Sequence, residues 1–135
     1  MIEKTLVLVK PDGLSRGLVG DILKRFEQRG LKVVGIKMTW PDKEFVKKHY
    51  TEDIAIRRGI KVREMLVDYL SSSPIVAVVL EGVSAVTVVR KIVGSTGPDE
   101  AAVGTIRGDF AHASIDYANS KEMVISNLVH ASGNV

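Results

Sequence analysis

The chain contains no cysteine, which excludes disulfide frameworks, cysteine-ligated zinc, iron–sulfur clusters and thiol nucleophiles together and suits a cytoplasmic location. Aromatics are scarce, with one tryptophan, three tyrosines and three phenylalanines in 135 residues. No strand carries the exposed Phe/Tyr pattern that stacks RNA bases, so specific nucleic-acid binding is not expected. The longest unbroken apolar run, Ile75 to Leu80, is far short of the roughly 18 residues that argue for a membrane span. The beginning, Met1 to Thr5, carries an acid, and the apolar run after it stops at Lys10-Pro11. That lacks the long apolar core of a secretion signal and reads as a mature start. G-x-x-x-x-G-K-[ST], G-x-G-x-x-G and H-E-x-x-H are all missing, which removes the usual phosphate-loop, dinucleotide and zinc signatures.

What is present describes one folded unit spanning residues 1–135. Apolar residues make up 45% and charged residues 26%, enough to close a core without staples. The formal charge of +3 favours anionic partners such as phosphates without forming a basic tail. The glycines and the four prolines punctuate periodic stretches as turns, and no repeat is visible.

Thr5 to Val9 is β-branched and apolar, a buried strand closed by a Lys10-Pro11-Asp12-Gly13 turn. From Ser15, the spacing of Leu18, Val19, Ile22, Leu23 and Phe26 predicts an amphipathic helix with Gly30 as its left-handed cap. Leu31 to Trp40 alternates Val34, Ile36, Met38 and Trp40 on one face of a second strand. Pro41-Asp42 opens a short helix with Phe45, Val46, His49 and Tyr50, and Val62, Met65, Leu66, Tyr69 and Leu70 form another that ends at Ser71-Ser72-Ser73-Pro74. Ile75 to Leu80 is the third strand, and Val86, Val89 and Val93 with Ser84 as N-cap make the next helix. Gly94 to Phe110 is aperiodic and rich in glycine, as functional loops are. A short helix is expected over 120–126, then a last strand at Leu128-Val129 beside His130. This order favours an α+β, ferredoxin-like antiparallel sheet with helices on one face and a helical hairpin insert. A doubly wound parallel sheet fits less well, because a hairpin separates strands two and three.

Lys10, Arg90 and Arg107 stand at or near element ends, and each taken singly reads as a surface charge. His49 lies on the apolar side of its helix and reads as a packed core residue, whereas His112 sits in a polar loop. His130 closes a buried strand and is followed by small residues, where a ligand could approach.

Taken together, Lys10-Pro11-Asp12-Gly13, Arg16-Gly17-Leu18-Val19-Gly20, Gly104-Thr105-Ile106-Arg107-Gly108-Asp109-Phe110 and Asn127-Leu128-Val129-His130-Ala131-Ser132 strongly resemble the nucleoside diphosphate kinase family over essentially the whole chain. The resemblance implies transfer of the γ-phosphoryl group of a nucleoside triphosphate, typically ATP, to a nucleoside diphosphate by a ping-pong route, with His130 as the phosphorylated nucleophile. A neutral imidazole suits that task near its ordinary pKa of about 6.5. Lys10, Arg90 and Arg107 match the family's phosphate-binding cations, Tyr50 and Thr96 its hydroxyl positions, and Asn127 its sugar- and phosphate-directed amide. The implied cofactor is Mg²⁺ carried by the nucleotide, with no direct protein ligand and with Glu52 able to act through water.

Some positions depart from the family pattern. Where the family has Arg-Pro-Phe-Phe, this chain reads Arg57-Arg58-Gly59-Ile60-Lys61-Val62, so Ile60 or Val62 replaces the ring against the base. Arg58 is taken as the phosphate contact, with Arg57 as the alternative. The connection from Phe110 to His130 is longer than usual, Gly133 stands where an aspartate is common, and the family's terminal segment with its histidine-orienting glutamate has no counterpart before Val135. The resemblance also implies a homo-oligomer built from dimers. Two other readings stay open on sequence alone: a catalytically impaired nucleotide-binding relative, and a non-enzymatic ferredoxin-like binding module.

Overall fold

The computed structural model describes residues 1–49 and 59–135. Four strands, β1 (Ile2–Val9), β2 (Lys32–Thr39), β3 (Ile75–Val83) and β4 (Val129–Ala131), form one sheet in the order β2-β3-β1-β4, and every neighbouring pair is antiparallel. This is the expected ferredoxin-like arrangement. β1 begins three residues earlier than the apolar run, because Ile2 to Lys4 pair with Glu81 to Val83 at the exposed end of β3.

Val7 and Val9 of β1 stand opposite Val78 and Val76, so all four share one face. Onto that face pack Ile22 and Phe26 of helix α2 (Val19–Gln28) and Ala85, Val89 and Val93 of helix α5 (Ala85–Val93), and together they form the main core. Each fully buried aliphatic chain contributes about 1.5–3 kcal/mol. The hairpin of α3 (Lys43–His49) and α4 (Ile60–Ser71) has a small core of its own in Val46, Val67 and Leu70. Trp40 ties it to the end of β2 by donating from Nε1 to the Ser71 carbonyl at 2.8 Å.

Several boundaries differ from expectation for identifiable reasons. The Lys10–Gly13 turn is the start of a short helix, α1 (Pro11–Ser15), with proline at its first position, where the missing N–H costs nothing. Gly17, at φ +68°, then separates α1 from α2, so the amphipathic helix starts later than Ser15. A bulge between Val33 and Gly35 breaks the expected alternation of β2, and Ile36 and Met38 remain exposed on this edge strand. Ser84 precedes α5 but makes no side-chain cap; the carboxylate of Glu3 accepts the Val86 N–H at 3.3 Å instead. The aperiodic stretch holds a helical turn, α6 (Ile106–Phe110), capped by Thr105, whose hydroxyl accepts the Gly108 N–H at 3.0 Å. The helix expected over 120–126 lies over α7 (Ile115–Ser120), because Ser114 caps it through Tyr117 N–H and Glu122 at φ +53° ends it.

Candidate active site

Where β1 ends, Lys10 leaves the sheet and α1 begins, so strand β1 delivers one cation to the edge shared with β4. His130 lies in β4 directly opposite Leu8. The loop after α5 and the α6 turn close in from one side and α4 from another. The resulting cavity measures about 640 Å³, and its lining includes Lys10, Arg90, Thr96, Arg107, Asn127 and His130. Six expected site residues therefore meet in one place, with Lys10 from the start of the chain joining five that lie between residues 90 and 130.

The cations differ in how they are held. Lys10 is only 6% exposed; its Nζ donates to Asn127 Oδ1 at 2.6 Å and to the Ile125 carbonyl at 3.4 Å, and sits 5.7 Å from the centre of the Tyr69 ring. Burial brings its pKa down to about 8 against the raising effect of Asp12, and Arg107 lowers it further. Arg107 is also buried, and its guanidinium donates to the carbonyls of Asn127, Gly94 and Val129 at 3.1, 3.0 and 2.6 Å. Burial first and then Arg90 pull its pKa down to about 10, with Asp12 opposing. The expected phosphate-binding role of Arg107 thus comes with a structural one, since the side chain ties β4 to the loop after α5. Arg90 and Thr96 stay exposed at the rim.

Asn127 donates from Nδ2 to the Thr96 carbonyl at 2.9 Å, which orients its Oδ1 toward Lys10. The next residue, Leu128, has φ +71°, and the Val129 N–H donates across it to the Asn127 carbonyl at 2.8 Å. Those are the marks of the strained γ-turn, rare for a branched residue, and such conformations cost about 1–3 kcal/mol. Both backbone groups of Leu128 are occupied: its N–H donates to Asp12 Oδ2 at 3.0 Å and its carbonyl accepts the Lys10 N–H at 2.8 Å.

Ile60 does not reach the cavity. It is the first residue of α4 and 68% exposed, while Leu66 from the inner side of that helix and Ile125 from across the mouth line the site. Val62, the other candidate for the ring's place, lines a separate surface hollow with Met65 and Glu122. Leu66 was visible in the helical pattern, but choosing it over Ile60 requires knowing which face of α4 turns inward. The expectations for Tyr50, Glu52, Arg57 and Arg58 lie outside the described residues, as does the side chain of His49. Among the described residues no carboxylate lines the cavity, and no group of three His, Asp or Glu side chains is placed to hold a metal ion.

Comparison with known proteins follows the same outline. Residues 3–135 match the family model for nucleoside diphosphate kinase. The nucleoside diphosphate kinase of Borreliella burgdorferi is 47% identical over 135 residues, 99% of this chain and 81% of that protein. That of Pyrococcus furiosus is 47% identical over 131 residues, 97% of this chain and 74% of the other. Among solved structures, a transition-state mimic of the Borrelia burgdorferi enzyme with bound vanadate and ADP superposes with a TM-score of 0.94 at 48% identity, covering 98% of this chain and 80% of that one. An NDP kinase from Pyrobaculum aerophilum gives 0.90 at 36% identity, covering 99% and 90%. With sequence, strand order and the convergence of distant cations on one histidine in agreement, the chain belongs to the nucleoside diphosphate kinase family.

Proposed function

We propose that the nucleoside diphosphate kinase activity of this chain, transfer of the γ-phosphoryl group of a nucleoside triphosphate to a nucleoside diphosphate, runs through a phosphorylated His130. The observation that carries this reading is the convergence of Lys10, Arg90, Arg107 and Asn127 around the cavity that His130 lines; the hollow beside His112 has Arg16 as its one cation. A ring nitrogen of the neutral imidazole attacks the γ-phosphorus, the bond to the bridging oxygen breaks, and the diphosphate departs. In the second half the phosphoryl group passes to the β-phosphate oxygen of the incoming diphosphate, and the imidazole is restored. Fixed cations suit this reaction, because charge spreads over the equatorial oxygens while the protein need not reorganise. Leu66 and Ile125 supply an apolar mouth without base-specific donors, which favours acceptance of several bases.

Magnesium on the nucleotide would neutralise phosphate charge, held by phosphate oxygens and water, since the described lining offers cations and an amide but no carboxylate. The expected homo-oligomer is supported by β2, an edge strand carrying exposed Ile36 and Met38, the kind of apolar edge that pairing with a second copy would cover. No described helix is long and apolar enough to cross a membrane, and the absence of cysteine supports the cytoplasm as the working compartment.

The test is γ-labelled ATP. The label should appear on His130 as an acid-labile, base-stable adduct and chase to GTP on adding GDP. Label on another residue, or His130→Ala exchanging phosphate at the wild-type rate, would refute the assignment.

A further inference from the structure

We propose that Asp12, held in turn by Tyr69, is a positioning residue for phosphoryl transfer: its carboxylate clamps the strained turn at Leu128 and thereby fixes Asn127 and β4 relative to Lys10. The inference rests on the reading above, in which Lys10, Asn127 and His130 serve the transfer.

The geometry is specific. A residue in the left-handed region relaxes unless its surroundings hold it, and Leu128 stands between the amide that meets Lys10 and the strand that carries His130. Asp12 opposes relaxation by accepting the Leu128 N–H on Oδ2 at 3.0 Å. Its other oxygen, Oδ1, accepts the Tyr69 hydroxyl proton at 2.6 Å, and its own N–H donates to that hydroxyl at 3.1 Å. Burial and the bond to Asp12 push the Tyr69 pKa well above the ordinary phenol value, so the hydroxyl keeps its proton and remains a donor. Gly13 lets α1 come this close, since a Cβ there would stand 3.2 Å from the Leu128 carbonyl oxygen and 2.7 Å from Val9 Cγ1. Tyr69 belongs to α4, whose Leu66 lines the cavity. One carboxylate thus joins the hairpin wall of the site to its histidine strand.

Asp12 has a second, separable effect. Among the described groups it is the acid that favours the charged forms of Lys10 and Arg107 against desolvation. The other groups around Lys10 are the Tyr69 ring of α4, the Asn127 amide, Arg107 of α6, and Arg90 and Lys91 of α5 with His130 of β4 lining the same cavity. Replacing the carboxylate therefore changes both the turn and the proton affinity of Lys10, whereas removing the Tyr69 hydroxyl changes only the clamp.

The experiment compares wild type, Tyr69→Phe, Asp12→Asn and Asp12→Glu in the first half-reaction, ATP phosphorylating the enzyme, by quenched flow across pH. Thermal unfolding establishes that each variant is folded. Tyr69→Phe should slow the phosphorylation step about tenfold, the scale of one hydrogen bond to a charged group, with smaller change in ATP affinity and an unmoved alkaline limb. Asp12→Asn should cost about 100-fold and shift the alkaline limb to lower pH. Asp12→Glu keeps the charge but not the reach, so the step slows while the limb stays above that of Asp12→Asn. Folded Tyr69→Phe and Asp12→Asn proteins with wild-type step rates, or with losses confined to ATP affinity, overturn the inference. If Asp12→Asn does not fold, Tyr69→Phe decides alone. An inactive wild type would refute the functional reading itself, whereas an active wild type with indifferent variants refutes only the positioning role.

Discussion

The buried lysine at the end of β1 predicts opposite pH responses for stability and activity. Lys10 has its pKa lowered from 10.5 to about 8, chiefly by burial, and the unfolded chain restores the ordinary value. Between those two values the unfolded state binds more protons than the folded one, so this group makes the protein more stable as pH rises. From pH 7.5 to pH 9.5 the gain is about 2 kcal/mol. Other groups leave that window clear: Arg107, lowered to about 10, adds stability only at higher pH, and Tyr69, pushed up, removes it only once the unfolded phenol ionises near 10. Phosphate binding requires the charged ammonium, so kcat/KM should fall through about pH 8 while stability climbs. Urea unfolding at the two pH values and constant ionic strength measures the first, and initial rates of ATP plus GDP the second. Lys10→Met, which keeps an unbranched buried chain, should show no stability gain over the same interval. Equal pH slopes for wild type and Lys10→Met would refute the burial argument.

Three other outcomes follow from the loop beside the cavity. Gly108→Ala places a Cβ 2.0 Å from the Ala102 carbonyl oxygen and should destabilise by about 1–3 kcal/mol, read by denaturant unfolding. Arg107→Lys keeps the charge but cannot serve three carbonyls from one planar fork; it should lose about 1–3 kcal/mol of stability and slow turnover by about 10²-fold. Asp109→Asn weakens the clasp in which Asp109 accepts the Gly104 N–H at 2.8 Å and meets Arg25 at 2.8 Å, so the Gly104 amide should exchange faster at pH 6 by hydrogen–deuterium exchange.

Periodicity carried the strands and the two packed helices, because burial on one face leaves a regular record in residue type. Phe26 and Val89 are fully buried at positions that the amphipathic spacing picks out. The short helices α6 and α7 left no such record. Their ends are set by a Thr105 or Ser114 hydroxyl capping one N–H, a local bond that a five- or six-residue segment cannot advertise through periodicity. The edge of β2 was legible as apolar but not as exposed, since alternation says which residues share a face and not whether anything covers it. At the site, Lys10, Arg107 and His130 stand in the motifs that carry the resemblance, whereas Arg90 stands in none and was expected only from the family pattern. The distinction between Arg107, which braces the backbone, and Arg90, which stands exposed at the rim, depends on burial and on carbonyl positions that no one-dimensional pattern contains.

Asp12 shows the same boundary from the other side. In sequence it is the third residue of Lys10-Pro11-Asp12-Gly13, and turn chemistry accounts for it completely: a polar residue between proline and glycine. In the fold each of the four residues has a separate task. Lys10 caps the strand with a buried charge, Pro11 starts α1 without a wasted N–H, and Gly13 permits contact with the Leu128 carbonyl. Asp12 faces a partner 116 positions away. Because Lys10 and Asp12 are only two residues apart on a strand-to-helix junction, the carboxylate that holds the strained turn is also the one that favours the charged lysine against its burial. Moving either residue by one position would separate those effects, so the spacing couples the geometry of transfer to its electrostatics.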